Sequence, residues 1–347
     1  MYWNIMANIR GDYGKQRRLL KDIIPLNTPF AVYISPSHRC NFRCFYCLQS
    51  KAEEEKKKLG IFPDMMNVEL AEKIAEQLSG FDFKLKRVMF SGCGEPLVNK
   101  DFAKIVRCFV DKDISEKYEL NTNGLLLNRK MIDDILEAGI TNIRISIQGL
   151  TSKKYKEISG VDIDYETMLN NFKYLYSKAK GRCKVYCKII DACFDKGETD
   201  EDFYRMYNDV CDDMYVEHLI QAQPHMEDIY NSNDVDTSVS LHKNENIKKQ
   251  VCPLMFYQLQ VDACGNIFPC CIVGLPPEFA LGNVKDNKLT DVWKSEKIKR
   301  LYLDNLRKNM EKYTVCAECE AYSAISQAED MLDGYEKEVA SRVELMK

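Results

Sequence analysis

Two hydrophobic periodicities alternate along the chain between about residues 30 and 245. Short apolar or β-branched runs, typical of strands, are followed by longer segments in which apolar residues recur every three or four positions, as on one face of a helix. The strand-like runs are 30–35, 86–92, 117–124, 141–149 and 184–191, with a weaker candidate at 216–223. The helix-like segments are 68–80, 100–112, 128–139 and 164–181. Repeating β-then-α units predict an α/β fold with a parallel sheet covered by helices.

The same pattern divides the chain into three segments. Residues 1–27 are predicted to form an N-terminal arm or helix, and residues 28–248 contain the β/α units. After about residue 250 an apolar strand, a turn at 264–266 and a second strand predict a β-hairpin, and a charged helix is predicted from about 323. We therefore expect residues 249–347 to form a second, smaller domain.

Charge and hydropathy exclude some classes of function. The chain has 347 residues with 49 Lys and Arg against 53 Asp and Glu, a formal net charge of −4, which argues against wholesale binding to a nucleic-acid backbone. Nowhere does the sequence approach the ~18 uninterrupted apolar residues of a membrane span, and its start lacks the compact apolar run of a signal peptide. We expect a cytoplasmic protein that binds neither nucleic acid nor membranes.

The cysteine content points to metal chemistry. Fifteen cysteines in a chain that is neither small nor secreted favour metal or catalytic use over disulfides. Only four histidines accompany them, so iron–sulfur chemistry is favoured over histidine-rich zinc or iron sites.

Three of these cysteines, Cys40, Cys44 and Cys47, lie in the sequence CNFRCFYC directly after the first predicted strand. A [4Fe–4S] cluster normally takes four cysteine ligands, so three thiolates from one loop would leave one iron open. Such an open metal position is where chemistry occurs. Its place after a strand is expected, because working residues of parallel α/β folds collect at the carboxyl ends of the strands.

Four motifs together resemble the radical S-adenosylmethionine (SAM) enzymes. They are CNFRCFYC, SGCGEP at 91–96, NTNG at 121–124 and the strand that ends ISIQG at 145–149. The resemblance covers roughly residues 30–190 and implies a partial, TIM-like (β/α)6 barrel of mainly parallel strands. It also implies that Cys40, Cys44 and Cys47 hold the cluster, and that SAM binds the open iron through its amino and carboxylate groups.

The resemblance further implies a set of SAM contacts. The turn 92–95 would line the methionine amino group through its backbone and the Glu95 carboxylate. Tyr46 would contact adenine, and Asn123 and Ser146 would contact ribose or carboxylate. The full set of expected SAM-binding residues is Tyr46, Gly92, Cys93, Gly94, Glu95, Asn123, Ser146 and Gln148.

Two details bear on this match. Cys93 stands where the family frequently has glycine, which weakens the match at that position. In the strand IRISIQ, Arg144, Ser146 and Gln148 share one face. A buried polar face needs hydrogen-bond partners, which a lumen that holds SAM would supply. The alternative is an edge strand whose polar side faces water.

A second group of cysteines follows in the C-terminal segment. Cys252 and Cys270 flank the predicted hairpin strands, and Cys316 and Cys319 form a C-x2-C pair. The sequence between them, with its LGNV and Trp, resembles that of SPASM and the shorter twitch domains and implies an auxiliary [4Fe–4S] cluster saturated by four thiolates. A closed zinc site is the alternative. Cys264 and Cys271 lie close enough in sequence to replace Cys270.

Some residues have weaker signals. Lys188 and Tyr186 share a strand face and could meet substrate, while His225 and His218 flank the last strand-like run. Each histidine is otherwise a local hydrogen-bonding residue, and His38 could cover or tune the cluster. The remaining cysteines are expected to serve packing; they are Cys93, Cys108, Cys183, Cys187, Cys193 and Cys211.

The resemblance implies an oxidoreductase that cleaves SAM reductively and uses the 5′-deoxyadenosyl radical to take hydrogen from a substrate, with an electron donor such as flavodoxin or ferredoxin. One expected substrate is a small hydroxylated molecule, such as a sugar or aminocyclitol, oxidised with Lys188 as base. The other is a ribosomally made peptide that receives a crosslink, thioether or epimerisation. Only 39 residues precede Cys40, too few for a peptide-binding module of about 80 residues, which favours the small molecule. A non-catalytic zinc or iron–sulfur protein is the third interpretation.

Overall fold

The computed structural model describes residues 7–10, 17–317 and 319–346. Within these residues one mixed sheet runs in the order β1-β7-β6-β5-β4-β3-β2-β8-β9-β10. Its strands are β1 (Asn8–Ile9), β2 (Ala31–Ile34), β3 (Arg87–Phe90), β4 (Tyr118–Thr122), β5 (Asn142–Ile147), β6 (Lys184–Ile190), β7 (Asp213–Glu217), β8 (Gln258–Val261), β9 (Asn266–Phe268) and β10 (Gly282–Asn283).

Helices follow most of the parallel strands. Several begin at a residue whose side chain caps the first turn, as Asn67, Asn128, Thr151 and Asp164 do. The described helices are α1 (Leu20–Ile23), α2 (Glu53–Lys58), α3 (Val68–Leu78), α4 (Phe102–Val110), α5 (Arg129–Glu137), α6 (Ser152–Ser159), α7 (Tyr165–Ala179), α8 (Asp200–Tyr207), α9 (Glu227–Ser232), α10 (Leu289–Trp293), α11 (Glu296–Leu306), α12 (Thr314–Ala317), α13 (Ala321–Ile325) and α14 (Glu336–Glu344).

The predicted fold class is confirmed, because β2 to β7 pair in parallel as six successive β/α units. Five strands lie within the predicted ranges. The sixth, predicted at 216–223, lies at Asp213–Glu217 instead. The strand begins at Asp213, an acidic residue that is not expected in a buried strand. Its carboxylate accepts hydrogen bonds from Arg10 at 2.7 Å and from Asn8 at 3.0 Å.

The two faces of the sheet differ sharply. One face is apolar and packs against the helices; on β5, Ile143, Ile145 and Ile147 are at most 1% exposed. The opposite face carries Arg144 and Ser146, whose register partners on β6 are Tyr186 and Lys188. Because β5 lies between β4 and β6, the edge-strand alternative is excluded and the polar face lines a lumen.

The C-terminal segment continues the sheet of the barrel. The predicted hairpin is present as β8 and β9, which pair antiparallel, but β8 also pairs in parallel with β2 over its whole length. The indole of Trp293 at the end of α10 donates a hydrogen bond to Leu26 O at 2.8 Å, which ties this segment to the N-terminal one. The three-domain division remains a prediction.

Two other expectations concern the termini and membranes. Of the predicted N-terminal arm, β1 and α1 are described, while residues 1–6 and 11–16 lie outside the described residues. The predicted C-terminal helix is shorter than expected, since α13 and α14 are separated by turns. Within the part of the chain that the structure describes, no helix combines the length and apolar character needed to cross a membrane.

Truncation of a buried side chain on β8 tests how strongly this strand is bound to the barrel. Leu259 is 0% exposed and lies opposite Val32 of β2. We expect Leu259→Ala to lower the free energy of unfolding by about 2–4 kcal/mol, because it leaves a cavity in a core strand. The measurement is urea unfolding of the anaerobic holoprotein. Leu345→Ala, at a side chain that is 79% exposed, is the control and should change it by less than about 0.5 kcal/mol; equal effects would contradict the packing described.

Candidate active site

The three-cysteine loop follows the carboxyl end of β2 and is hydrogen-bonded to α6. Arg43 N donates to Ser159 O at 2.8 Å and Phe45 N donates to Ile158 O at 3.2 Å, which fixes the loop on α6. Within the loop, Cys47 N donates to Cys44 O at 2.9 Å. The loop is therefore a shaped platform that presents its three thiols from one short stretch of chain.

An amide side chain contacts each of the three sulfur atoms. The contacts are Asn123 Nδ2 to Cys40 Sγ at 3.9 Å, Gln148 Oε1 to Cys44 Sγ at 3.5 Å and Gln223 Nε2 to Cys47 Sγ at 3.7 Å. Sequence reasoning missed Gln223, which belongs to no motif. The only indication in the sequence was that Gln223 ends the last predicted strand-like run, 216–223. The Gln223 oxygen also accepts from Leu48 N at 2.8 Å, so its orientation is fixed by the cysteine loop itself.

Cys44 is buried and Cys40 and Cys47 are largely shielded from solvent, which affects how the three thiols can bind metal. Burial raises the pKa of Cys40 to about 12, raises that of Cys44 well above its ordinary value and also raises that of Cys47. Metal ligands must be deprotonated, so iron has to supply the positive charge that displaces these protons. Three thiols on one loop, which leave one coordination position over, fit a [4Fe–4S] cluster with one open iron.

The turn SGCGEP is pressed against the start of the cysteine loop. A Cβ at Gly92 would lie 2.3 Å from Ser35 Oγ, and a Cβ at Gly94 would lie 2.3 Å from Arg39 O. Glu95 N also donates to Arg39 O at 2.9 Å. Glycine is required at both positions because any side chain would clash with residues 35–39, which lead into the cysteine loop. This close packing sets the distance between the turn and the three thiols.

Glu95 joins the loops that follow β3 and β4. Its carboxylate is 3% exposed and accepts hydrogen bonds from Thr122 Oγ1 at 2.7 Å, Asn123 N at 2.8 Å and Leu97 N at 3.1 Å. Burial raises the pKa of Glu95 to about 7, although these hydrogen bonds oppose the shift. A carboxylate that is half-protonated near neutral pH sits next to the expected position of the SAM amino group.

Several other side chains that are expected to contact SAM form hydrogen bonds within the protein. The Tyr46 hydroxyl donates to Gln148 Oε1 at 2.5 Å, and Gln148 Nε2 donates to Ser146 O at 3.0 Å. The Asn123 amide is directed at the cysteine loop, where Nδ2 donates to Asn41 Oδ1 at 2.8 Å. The structure brings these side chains together around the three thiols, and their contacts with SAM remain predictions.

The lumen below this site contains buried polar atoms that lack a hydrogen-bond partner within the described residues. They are Glu119 Oε2, Asn121 Oδ1 and Gln260 Oε1. Glu119 and Gln260 are only 3% and 5% exposed, and the strand register places both on the lumen face. Buried polar groups are normally hydrogen-bonded, so these oxygens fit a cavity that receives a polar ligand.

The catalytic candidates have different surroundings. Lys188 Nζ lies 2.5 Å from Glu217 Oε2 on the lumen face, and the Arg144 guanidinium lies 5.9 Å from the centre of the Tyr186 ring. His225, in contrast, is exposed in the loop before α9, so the structure does not bring it to the lumen. Both ring nitrogens of His218 are engaged within the protein: Nδ1 lies 2.6 Å from the Asp191 carboxylate, and Nε2 lies 2.9 Å from the Asp236 carbonyl oxygen.

The second cysteine group assembles at the opposite end of β8. The Cys252 thiol interacts electrostatically with Cys316 and Cys319, and the Cys270 thiol interacts with Cys252 and Cys316. Burial raises the pKa of all four thiols. Asn305 fixes the backbone on one side, since it accepts from Cys252 N at 3.0 Å and donates to Cys252 O at 2.8 Å. The four predicted auxiliary ligands therefore converge.

The two possible replacements for Cys270 point elsewhere. The Cys271 thiol lies near the side chains of Gln258 and Tyr33 and so faces the lumen. Cys264 lies in the turn between β8 and β9 beside Asp64 and His38. His38 links the cysteine loop to neighbouring segments through Phe62 O at 3.2 Å and Ala263 N at 3.4 Å. This arrangement favours Cys270 as the fourth auxiliary ligand.

Two family models match the chain. The model of the radical SAM superfamily matches residues 34–210, which is more than half of the chain, and the model of the SPASM iron–sulfur cluster-binding domain matches residues 252–320. The chain belongs to the radical SAM superfamily. It is a radical SAM enzyme that uses SAM and a [4Fe–4S] cluster, with an auxiliary iron–sulfur cluster in a C-terminal SPASM domain.

Curated relatives match part of the chain. A probable GTP 3′,8-cyclase of Methanococcus vannielii is 37% identical over 135 residues, which are 39% of this chain and 41% of the relative. A GTP 3′,8-cyclase of Haemophilus influenzae is 26% identical over 163 residues, 47% of this chain and 46% of the relative. The chain thus spans less than half the length of these relatives.

Solved structures share the fold over most of the chain. BtrN in complex with AdoMet and 2-DOIA superposes with a TM-score of 0.53 at 18% identity, covering 84% of this chain and 92% of that one. The AdoMet-bound enzyme anSMEcpe gives a TM-score of 0.56 at 15% identity, covering 90% of this chain and 96% of that one. At this identity the likeness supports the fold alone.

The relatives overturn the substrate expectation. The expected oxidation of a sugar or aminocyclitol is wrong, because the curated relatives are GTP 3′,8-cyclases, named for a ring closure on a nucleotide. The peptide alternative receives no support from them, and the non-catalytic alternative fails because the radical SAM model matches. The C-terminal domain matches SPASM, while the shorter twitch form is not supported.

Removal of the Gln223 amide tests its effect on the radical-generating cluster. Hydrogen bonds to cluster sulfurs favour the more negative, reduced form. A net contribution of about 0.5–1.5 kcal/mol corresponds to a fall in one-electron reduction potential of about 20–60 mV in Gln223→Ala. The measurement is a redox titration that follows the SAM-responsive electron paramagnetic resonance (EPR) signal. Gln221→Ala is the control, and an unchanged or higher potential in Gln223→Ala would contradict the role.

The raised pKa of Glu95 predicts a pH dependence. Because the ionised form accepts a hydrogen bond from the SAM amino group, the Glu95 contribution should weaken SAM affinity about tenfold between pH 8 and pH 6, as Glu95 is protonated below about 7. Glu95→Gln should remove this contribution and flatten the pH profile relative to wild type, as measured by equilibrium dialysis of the anaerobic holoprotein. The same shift predicts the opposite trend for stability. The free energy of unfolding should fall as the pH rises from about 4.5 to about 7, because over this range the Glu95 carboxyl ionises in the unfolded chain but stays protonated in the folded protein. Identical pH profiles in wild type and Glu95→Gln would disprove both effects.

Proposed function

We propose that this enzyme takes hydrogen from a nucleotide held in the lumen and promotes a rearrangement or ring closure, rather than oxidation at a carbinol carbon. When bound, SAM and the cluster supply the 5′-deoxyadenosyl radical at the three-cysteine site. The observation that carries the proposal is the charged, hydrogen-bonding lumen between the two cysteine groups. The curated relatives, named for a reaction of GTP, support the choice of substrate class.

The lumen has cations suited to phosphate groups. Arg144 and Lys188 extend from neighbouring positions on β5 and β6, near the end of the barrel that carries the three-cysteine loop. Lys188 is held by Glu217, so it serves this proposal as a positioned cation and not as a base. Arg87 lies deeper, with its guanidinium 3.4 Å from the Tyr33 hydroxyl and 3.8 Å from Glu119. Guanidinium and ammonium groups are the usual partners of phosphate oxygens.

The same lumen offers acceptors for a nucleobase. Gln260 Oε1 is a buried acceptor without a hydrogen-bond partner among the described residues, and Glu119 Oε2 also lacks a hydrogen bond, with the Arg87 guanidinium at 3.8 Å. The ring N–H and exocyclic amino groups of a purine could satisfy them. Cations near the mouth and acceptors deeper inside therefore match a molecule with phosphates at one end and a base at the other.

The two cysteine groups divide the work. The three-cysteine loop follows the carboxyl end of β2, whereas Cys252 precedes β8, the strand parallel to β2. The paired strands, at about 3.3 Å per residue, alone separate the two groups by about 10 Å. Radical generation is thus proposed at one end of the lumen, with the auxiliary cluster near its other end. An external one-electron donor such as flavodoxin or ferredoxin would reduce the enzyme.

A label-transfer experiment tests the proposal. Reconstituted holoenzyme with SAM and dithionite is given GTP deuterated on its ribose, ATP labelled likewise, or no nucleotide. We expect GTP to raise 5′-deoxyadenosine formation at least tenfold over the nucleotide-free rate and to transfer deuterium into it. Cleavage of SAM without stimulation or deuterium transfer by either nucleotide would disprove the nucleotide substrate.

Variants separate the parts of the proposal. Cys44→Ala should abolish 5′-deoxyadenosine formation, and Cys319→Ala should retain nucleotide-free cleavage but lose GTP conversion. Arg144→Ala should raise the KM for GTP about tenfold or more, since it removes a cation from the proposed phosphate site. Arg182→Ala, at an exposed position in the turn after α7, is the matched control. Equal KM values in these two arginine variants would contradict the lumen site.

A further inference from the structure

Cys93 forms a constellation with the three cysteines of the loop. The Gln49 side chain, two residues beyond Cys47, reaches across and donates from Nε2 to Cys93 O at 2.8 Å, with Cys93 Sγ at 3.7 Å. The Cys93 thiol interacts electrostatically with those of Cys47 and Cys40. The residue that replaces the family's frequent glycine therefore places a fourth thiol beside the three-thiol platform.

The position of Cys93 is fixed by its neighbours in the turn. Gly92 and Gly94 pack so closely against Ser35 and Arg39 O that neither tolerates a Cβ. The turn therefore cannot move away from the cysteine loop without losing these contacts. The thiol between the two glycines is held by the same packing that holds the turn.

A cation also lies beside this thiol. Lys56 of α2 is only 8% exposed; its ammonium pairs with the Glu53 carboxylate at 2.6 Å, lies 3.4 Å from Gln49 Oε1 and interacts with both Cys47 and Cys93. The charge-rich stretch around it is thus not wholly solvated, because one lysine is turned towards the thiols. A buried ammonium favours negative charge on neighbouring sulfur atoms.

Coordination chemistry gives this thiol a role. A [4Fe–4S] cluster takes four cysteine ligands, and the loop supplies three. We propose that Cys93 is an exchangeable fourth ligand, which closes the open iron when SAM is absent and yields it to SAM. The proposal concerns the resting state of the radical-generating site and does not depend on which substrate the enzyme uses.

The exchange balances without an electron donor or acceptor. The bond between iron and the Cys93 sulfur breaks, and bonds from iron to the SAM amino nitrogen and carboxylate oxygen form. The SAM ammonium must lose a proton to bind, and the released Cys93 thiolate takes one up. In the SAM-free enzyme, four cysteine ligands would saturate the cluster, so that oxidants could not bind at the open coordination position of the iron.

Packing is the alternative role for Cys93. Its side chain also contacts the small apolar cluster around Leu48, Ile61 and Met226, where cysteine can act as a small hydrophobe. A packing residue would leave the ligation and the oxygen sensitivity of the cluster unchanged when it is replaced.

Controlled oxidation of SAM-free holoenzyme tests the proposal. Wild type, Cys93→Ala and Cys93→Gly are reconstituted anaerobically and exposed briefly to air, and EPR spectroscopy then quantifies [3Fe–4S] clusters per protein. We expect at least fivefold more in both variants, because the open iron is no longer held by a fourth thiolate. Cys108→Ala is the control, since Cys108 lies on α4 with its sulfur 3.2 Å from Lys104 O, and it should match wild type. The auxiliary cluster is common to all four proteins.

SAM affinity gives a second, independent measurement. Without an internal ligand to displace, Cys93→Ala should bind SAM about fivefold more tightly than wild type in equilibrium dialysis. Cys93→Ser separates ligation from size: it should behave as Cys93→Ala if ligation matters and as wild type if only volume matters. Wild-type behaviour of Cys93→Ala in either measurement, or of Cys93→Ser in the dialysis, would overturn the proposal. Cys93→Gly, which carries the residue frequent in the family, keeps the oxidation test decisive if the alanine variant folds poorly.

Discussion

The parallel pairing of β2 with both β3 and β8 is the constraint on which the rest of the site depends. Because β2 and β8 run in the same direction, the loop after β2 and the residues before β8 emerge at opposite ends. This places Cys40 to Cys47 at the carboxyl end and Cys252 at the amino end of one strand pair. Two iron–sulfur sites can therefore face one lumen without competing for the same thiols.

The side chains between the two sites obey strand alternation. On the parallel strands one set of residues is almost completely buried against the helices, while most of the other set is polar or aromatic and points inward. Such polar residues in a barrel interior lower stability unless they are paired, and several of them are paired, as Lys188 is with Glu217. The few that lack a hydrogen-bond partner among the described residues, such as Gln260 Oε1, lie on the same lumen face.

Local pattern predicted the strands β2 to β6 within two residues at each end, because each is a compact apolar run bounded by polar turns. It placed β7 three residues too late, since Asp213 depends on Arg10, about 200 residues away, for its charge partner. The pairing of β8 with β2 and the Gln223 contact likewise join distant segments and leave no local signal. The choice between Cys270 and Cys271 could not be made from sequence, because both lie in the bend that follows β9 and only tertiary packing decides which thiol faces the other three cysteines.

If the lumen binds the substrate as proposed, two segments of the chain share substrate selection. The radical SAM segment supplies Arg144 and Lys188, but the SPASM segment supplies Gln260 from β8 and turns Cys271 towards the lumen. A relative that matches less than half of this chain therefore need not share all of the surface that contacts substrate. Radical generation depends on groups within residues 40–223, and it is the more transferable property. Under the same proposal, the identity of the substrate would depend on how β8 pairs with β2, and relatives with the same radical chemistry would differ at that strand pair.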